Sequence, residues 1–264
     1  MTNRLAVEPK VFVGVPVYGP INPDFFCSWT RLIAEFQNTG NNLVIPPPHI
    51  GDSLIPRARN SITRGFLDSD CTHLLFIDSD LIFSAEHIRR IISHDKDLVG
   101  GTYCKKMEGP VQFVCNSYAD QTLKPDERGL MPVRYVGTGF MCIKRRVFEE
   151  MIKAFGEEIW YALDHDQKTV EYDFWGCQVY KYPDGKRRYL SEDWWFCQKW
   201  LDLGGKVWMD FQCVLKHSGS AIYPLKTQEP ELNFKRQTPL PLESNAGDSV
   251  SNLAESPAIN LIQT

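Results

Sequence analysis

At 264 residues the chain has room for one α/β domain with additions, or for one domain and a small second one. Its 43% apolar and 23% charged residues exclude a disordered or fibrous chain, and its net charge of −4 gives no global electrostatic footprint for nucleic acid. Eight cysteines without a CxxC pair exclude a zinc ribbon.

Most of those cysteines sit in apolar runs, where a thiol behaves as a small hydrophobe, and they read as reduced. The N-terminal residues have no apolar signal core. No stretch has the apolar length that crossing a bilayer requires. The chain is therefore expected to be soluble and cytoplasmic, with no membrane span.

In chain order, residues 11–17 are a β-branched run and predict a buried first strand that ends in a loop at Tyr18-Gly19-Pro20. Residues 22–38 carry Phe25, Trp29, Leu32 and Phe36 at helical spacing. A short strand follows at 43–45 and is broken by Pro46-Pro47-Pro48. A second helix is predicted over 54–67, with Leu54, Ala58, Ile62 and Phe66 on one stripe and Arg57, Arg59 and Arg64 off it. Residues 73–77 form an apolar strand that runs into Asp78-Ser79-Asp80. Ser84 reads as the N-cap of a helix to Ser93, and a strand covers 97–101. This strand–helix alternation over 10–101 predicts a mostly parallel sheet with helices on both faces.

From 102 the order changes. Short strands are predicted at 111–115 and 133–136, with a polar loop over 120–132 between them. A tight turn at Gly137-Thr138-Gly139 precedes a strand at 140–143, and 144–155 is helical. Residues 160–190 are rich in aromatics and charges and give few periodic signals. Ser191 caps a helix from Glu192 to about Leu203 that Gly204-Gly205 ends. A last strand covers 206–210. The expected organisation is one domain over 1–224, with a nucleotide-binding half at 10–101 and an acceptor half at 102–224. A mobile, polar, Pro-rich tail is expected over 225–264.

Four Asp-x-Asp pairs occur: Asp68/Asp70, Asp78/Asp80, Asp95/Asp97 and Asp164/Asp166. Context separates them, because only Asp78/Asp80 follows an apolar strand of the first half, and ligands of open α/β sheets gather at strand C-termini. In an extended segment residues i and i+2 point the same way, so the two carboxylates are expected to converge on one hard cation, Mg²⁺ or Mn²⁺. The bland alternative is a solvated strand-end loop.

Four features coincide in order: Val13-Gly14-Val15-Pro16-Val17-Tyr18, Leu75-Phe76-Ile77-Asp78-Ser79-Asp80, Gly137-Thr138-Gly139 and Ser191-Glu192-Asp193, with His217 beyond them. Together, over about residues 10–220, they resemble the GT-A fold of nucleotide-sugar glycosyltransferases, in particular the family 2-like group. The resemblance implies a Rossmann-like sheet and a metal held by Asp80, by Asp78 and by His217, whose imidazole favours Mn²⁺ over Mg²⁺. It implies that Pro16, Val17, Tyr18, Arg59, Asp78, Ser79, Gly137, Thr138 and Gly139 contact the donor. Asp193, or alternatively Glu192, would be the base of an inverting transfer. Each residue also has a plain structural reading. Acids in a first helical turn suit the helix dipole, glycines make a hairpin turn, and His217 fits an ordinary surface position.

The expected reaction moves a sugar from a nucleotide-sugar, with UDP favoured, to an acceptor hydroxyl. The acceptor is a glycan or a modified nucleic-acid base. The arginines of 57–64 and the run from Lys181 to Arg188 offer a local basic groove for the latter. Two alternatives stand beside it. A nucleotidyltransferase also needs paired carboxylates on a metal, but residues 14–20 hold no Lys or Arg. A non-catalytic sugar- or nucleotide-binding module would keep the fold without turnover. A dinucleotide-dependent dehydrogenase is disfavoured, because no GxGxxG follows the first strand.

Overall fold

Seven strands form the central sheet of the computed structural model: β1 (Val11–Gly14), β2 (Leu43–Val44), β3 (His73–Ile77), β4 (Leu98–Thr102), β5 (Leu130–Val133), β6 (Phe140–Lys144) and β7 (Val207–Val214). Their order across the sheet is β2-β1-β3-β6-β4-β7-β5. Strands β1, β2, β3, β4 and β7 run in one direction, whereas β6 and the edge strand β5 run against their neighbours. The structure describes residues 8–39, 42–106, 112–118, 123–163, 166–219 and 222–223, all within one compact unit. The tail expected over 225–264, and the pair Asp164-His165, lie outside the described residues.

Both faces of the sheet are covered, which explains why the strands read as continuous apolar runs. Successive side chains alternate between the two cores. Leu74 and Phe76 of β3 and Met141 and Ile143 of β6 join one core with Ile62, Phe66, Phe148 and Phe196. Leu75 and Ile77, with Phe140 and Cys142, join the other with Phe25, Leu32, Ile88 and Ile91. Helices α2 (Ile55–Leu67), α4 (Arg145–Ile159) and α5 (Glu192–Asp202) therefore cover one face, and α1 (Pro23–Thr39) and α3 (Ala85–Ser93) the other. The α/β architecture expected from the alternation over 10–101 is present. Among the described residues no helix is long and apolar enough to cross a membrane.

The second half departs from expectation in detail. Of the strand expected at 111–115, the described residues from 112 onwards show a bridge at Phe113 and a two-residue strand at Cys115–Asn116. The strand expected at 133–136 divides in two. Leu130–Val133 joins the main sheet, while Tyr135–Val136 pairs with Cys115–Asn116. Residues 160–190 hold two β-hairpins, Trp160–Leu163 with Asp166–Tyr172 and Gln178–Lys181 with Arg187–Leu190. The second turns through Tyr182-Pro183-Asp184-Gly185, where Gly185 has φ +83° and its N–H bonds the Tyr182 carbonyl. Pro-Asp-Gly is turn chemistry, so this hairpin did have a sequence signal. All eight cysteines are free thiols, and Cys27 is exposed on α1 rather than packed in an apolar run.

Candidate active site

Strand β3 ends at Ile77, and the next residues turn. The Leu81 N–H bonds the Asp78 carbonyl at 3.1 Å, closing a tight turn over Asp78-Ser79-Asp80-Leu81. This corrects the extended-segment argument for Asp78 and Asp80. In a turn, i and i+2 do not share a face, and the two carboxylates take separate partners. Ser79, between them, is half-buried.

Asp78 is held from both sides. Its N–H bonds the Gly139 carbonyl at 2.8 Å, prolonging the β3–β6 ladder. Its Oδ1 accepts from Arg59 Nη2 at 2.9 Å. Arg59 comes from α2 and its side chain is only 3% exposed. Its guanidinium lies over the Phe76 ring, and Nε stands 3.6 Å from Glu192 Oε1. One buried cation thus joins the turn after β3 to the first turn of α5. Its Nε and Nη1 have no hydrogen-bond partner among the described residues. Arg57 and Arg64, its neighbours on α2, point away to Asp52 and Asp68.

Asp80 faces another way. Its Oδ2 accepts from Lys106 Nζ at 2.6 Å. Its Oδ1 is 3.4 Å from His217 Nε2, and that oxygen is buried with no hydrogen-bond donor among the described residues. Burial alone would raise the Asp80 carboxyl, but His217, when its Nε2 carries a proton, and Lys106 outweigh it and hold the group below its ordinary value. His217 lies on a short strand, Lys216–Ser218, paired with Leu81–Ile82. The Cys104 carbonyl is 2.7 Å from His217 Nδ1 and can only accept, so Nδ1 carries a proton. In the neutral ring Nε2 then presents its lone pair to Asp80 Oδ1. Two facing acceptors repel unless a cation or a second ring proton stands between them, and a borderline divalent ion suits this N,O pair. Among the described residues no three His, Cys, Asp or Glu side chains cluster as a metal cage.

Gly137, Thr138 and Gly139 form the turn into β6, and Thr138 is buried. The glycines have a reason that sequence reading missed. A Cβ at either position would lie 2.5 Å from the hydroxyl of Tyr103. That hydroxyl accepts the Gly139 N–H at 2.9 Å, and the Tyr103 ring stands edge-on to His217 at 5.4 Å. Tyr103 is buried, and burial first, then the charges of Asp78 and Asp193, push its phenol well above its ordinary value. It stays a neutral hydroxyl with a proton to donate. Residues 103 and 104 thus hold the glycine turn through a side chain and His217 through a carbonyl.

Glu192 and Asp193 open α5. Asp193 accepts from the Ser191 hydroxyl and, at 2.8 Å, from the Trp194 N–H. Burial of its carboxylate and the adjacent charge of Glu192 raise it to about 6, against the pull of those donors and of Arg59. Such a group changes protonation near neutrality, which is what a general base requires. The structure therefore brings Arg59, Asp78, Glu192 and Asp193 into one charged chain, with the glycine turn on its Asp78 side and Asp80 with His217 across the tight turn. Pro16 and Val17 are buried and pair with His49 and Ile50. Tyr18 is 73% exposed, and among the described residues no hydrogen bond or ring contact ties it to the acids.

No family model matches the sequence, and no curated protein is significantly similar to it. Among solved structures, A197 from STIV is 15% identical with a TM-score of 0.46, covering 79% of this chain and 85% of that one. A glycosyltransferase involved in the glycosylation of the major capsid of PBCV-1 is 10% identical with a TM-score of 0.32, over 57% of this chain and 68% of that one. GalNAc-T7, crystallised with UDP, GalNAc and Mn²⁺, is 12% identical with a TM-score of 0.44, over 83% of this chain but 44% of its own. These are remote likenesses.

Proposed function

We propose that the chain is a glycosyltransferase that moves a sugar from a nucleotide-sugar, a UDP-sugar by preference, to an acceptor hydroxyl with inversion. The observation that carries this is the acid pair opening α5, with Asp193 raised to about 6 and Glu192 linked through buried Arg59 to Asp78. Asp193 takes the proton of the acceptor hydroxyl. The acceptor oxygen bonds to the anomeric carbon as the bond from that carbon to the diphosphate oxygen breaks, and the electron pair leaves on the nucleoside diphosphate. Arg59 keeps Asp78 and Glu192 in place. The Gly137–Gly139 turn offers backbone rather than side chain to the donor. Asp80 and His217 would hold a divalent cation, Mn²⁺ or Mg²⁺, with Asp78 beside it. When bound, that cation supplies charge stabilisation to the leaving diphosphate. The acceptor hydroxyl belongs to a glycan or to a modified nucleic-acid base.

Thermal unfolding with UDP, GDP and dTDP, each with and without Mn²⁺, tests the assignment. UDP with Mn²⁺ is expected to stabilise the protein, by about 2.7 kcal/mol at a hundredfold excess over Kd, and Asp80→Ala to abolish the shift. If no nucleoside diphosphate stabilises the protein in the presence of metal, the assignment fails.

A further inference from the structure

The two basic stretches of the sequence differ in what their charges meet. On α2, Arg57 is bonded to Asp52, Arg59 to Asp78 and Arg64 to Asp68, so that helix presents no free cation at these positions. On the hairpin Gln178–Lys181/Arg187–Leu190 Lys186 is paired with Asp184 at the turn. Lys181, Arg187 and Arg188 are exposed and have no ion-pair partner among the described residues.

The register sorts this hairpin into two faces. Tyr180 and Leu190 look inward, where Leu190 is buried and the Tyr180 ring meets Tyr182 and Trp195. Val179 pairs with Tyr189, and Lys181 with Arg187. Alternation places these four on the opposite face, where Val179 is 54% and Tyr189 67% exposed. The outward face is therefore an aromatic–aliphatic pair near the base of the hairpin and a pair of cations about 7 Å nearer the turn. The strand Arg187–Leu190 runs through Ser191 straight into Glu192 and Asp193 at the start of α5. The base of the hairpin thus adjoins the acid pair.

We propose that this outward face binds nucleic acid, a base stacking on Tyr189 while Lys181 and Arg187 pair with backbone phosphates. Flat aromatic surface flanked by cations is what an unpaired base and its phosphates need, and a two-stranded ribbon also fits a duplex major groove. A neutral glycan would leave both cations unanswered. An anionic membrane would want the apolar residues at the tip of the ribbon, but they lie at its base, and the tip carries Asp184. That the bound nucleic acid is the acceptor rests on the sugar-transfer reading; the binding itself does not.

The test is fluorescence anisotropy of labelled single-stranded and duplex DNA at 50–200 mM salt, roughly the range over which phosphate contacts register, with no donor sugar present. The outcome is then independent of any transfer activity. Arg187→Glu is expected to weaken binding at least tenfold and to flatten the log–log salt dependence by about 0.7 to 0.9. Tyr189→Ala is expected to weaken the single strand more than the duplex. Lys153→Glu, the same charge change on the exposed face of α4, is expected to leave binding as it was, and binding of either DNA form with this pattern supports the proposal. Absence of binding at the lowest salt overturns it. So do equal losses in Arg187→Glu and Lys153→Glu, or capture of heparin or phosphatidylserine vesicles by the hairpin while DNA is ignored.

Discussion

Asp193 carries a cost that the proposed role as base would explain. Its carboxyl is raised to about 6, above an ordinary Asp, so the folded state binds this proton more tightly than the unfolded chain does. Stability is then lost as pH rises from about 4 through about 6, and the ionised form, the one the proposed base requires, is the less stable one. Asp193→Asn should raise Tm by about 2–4 °C at pH 7.5, on the order of 1 kcal/mol, while transfer falls by about 10²- to 10⁴-fold. In the wild type, kcat/KM is expected to rise with pH through about 6, because the base must be ionised. A pH–rate profile flat across 5 to 8 would remove Asp193 from that role. Tyr103 supplies a second test at this scale. Its hydroxyl fills the space that a Cβ at Gly137 or Gly139 would need. Gly139→Ala should therefore destabilise by about 1–3 kcal/mol through overpacking. Tyr103→Phe, which keeps the ring, should cost about 1–3 kcal/mol by leaving the buried Gly139 N–H without an acceptor. Urea titrations of both variants check this. The sequence led to the glycines and to Asp193, but it could not show that Tyr103 explains the former, since nothing in a chain of letters brings residue 103 against residue 139.

Among the elements, those with one strong period were legible. Helix α3 falls at Ala85–Ser93 as expected, with Ser84 and His87 bonded across its first turn. Strand β3 also lies where its apolar run placed it. The hairpins of 160–190 were not legible from alternation, because one of their faces packs on neighbours while both contain aromatics and charges. The join of α3 to β7 was equally hidden. Asp210 is wholly buried and accepts from Arg90 Nε and His94 Nε2, each at 2.7 Å, and from the Gln212 N–H. Burial opposes its charge, but Arg90 and His94 prevail and the carboxyl lies below its ordinary value. A depressed carboxyl contributes stability that is present above the unfolded value and lost as pH falls through the folded one. Asp210→Ala should cost about 3–5 kcal/mol at pH 7, since it strands buried donors. The difference from wild type should shrink below about pH 4. Chemical denaturation at pH 7 and pH 3 measures both, and a pH-independent difference would refute the ion-pair account.

At the scale of the whole molecule, the parallel half-sheet over 10–101 was readable because a helix separates each of its four strands from the next. The place of β6 was not, since an antiparallel strand leaves no mark of where it will insert. It lies between β3 and β4, with Phe140 opposite Ile77 and Met141 opposite Gly100. Residues 1–101 therefore contain two central strands that never touch each other along a ladder. A fragment ending at residue 101 should show no cooperative unfolding in urea followed by circular dichroism, and a sigmoidal transition would contradict this. During synthesis the same wedge imposes a wait. As each nascent chain leaves the ribosome, β3 and β4 must hold unsatisfied edges until some forty further residues have emerged, roughly 2–8 s at 5–20 residues per second. That interval is when a holdase would be most useful to this protein.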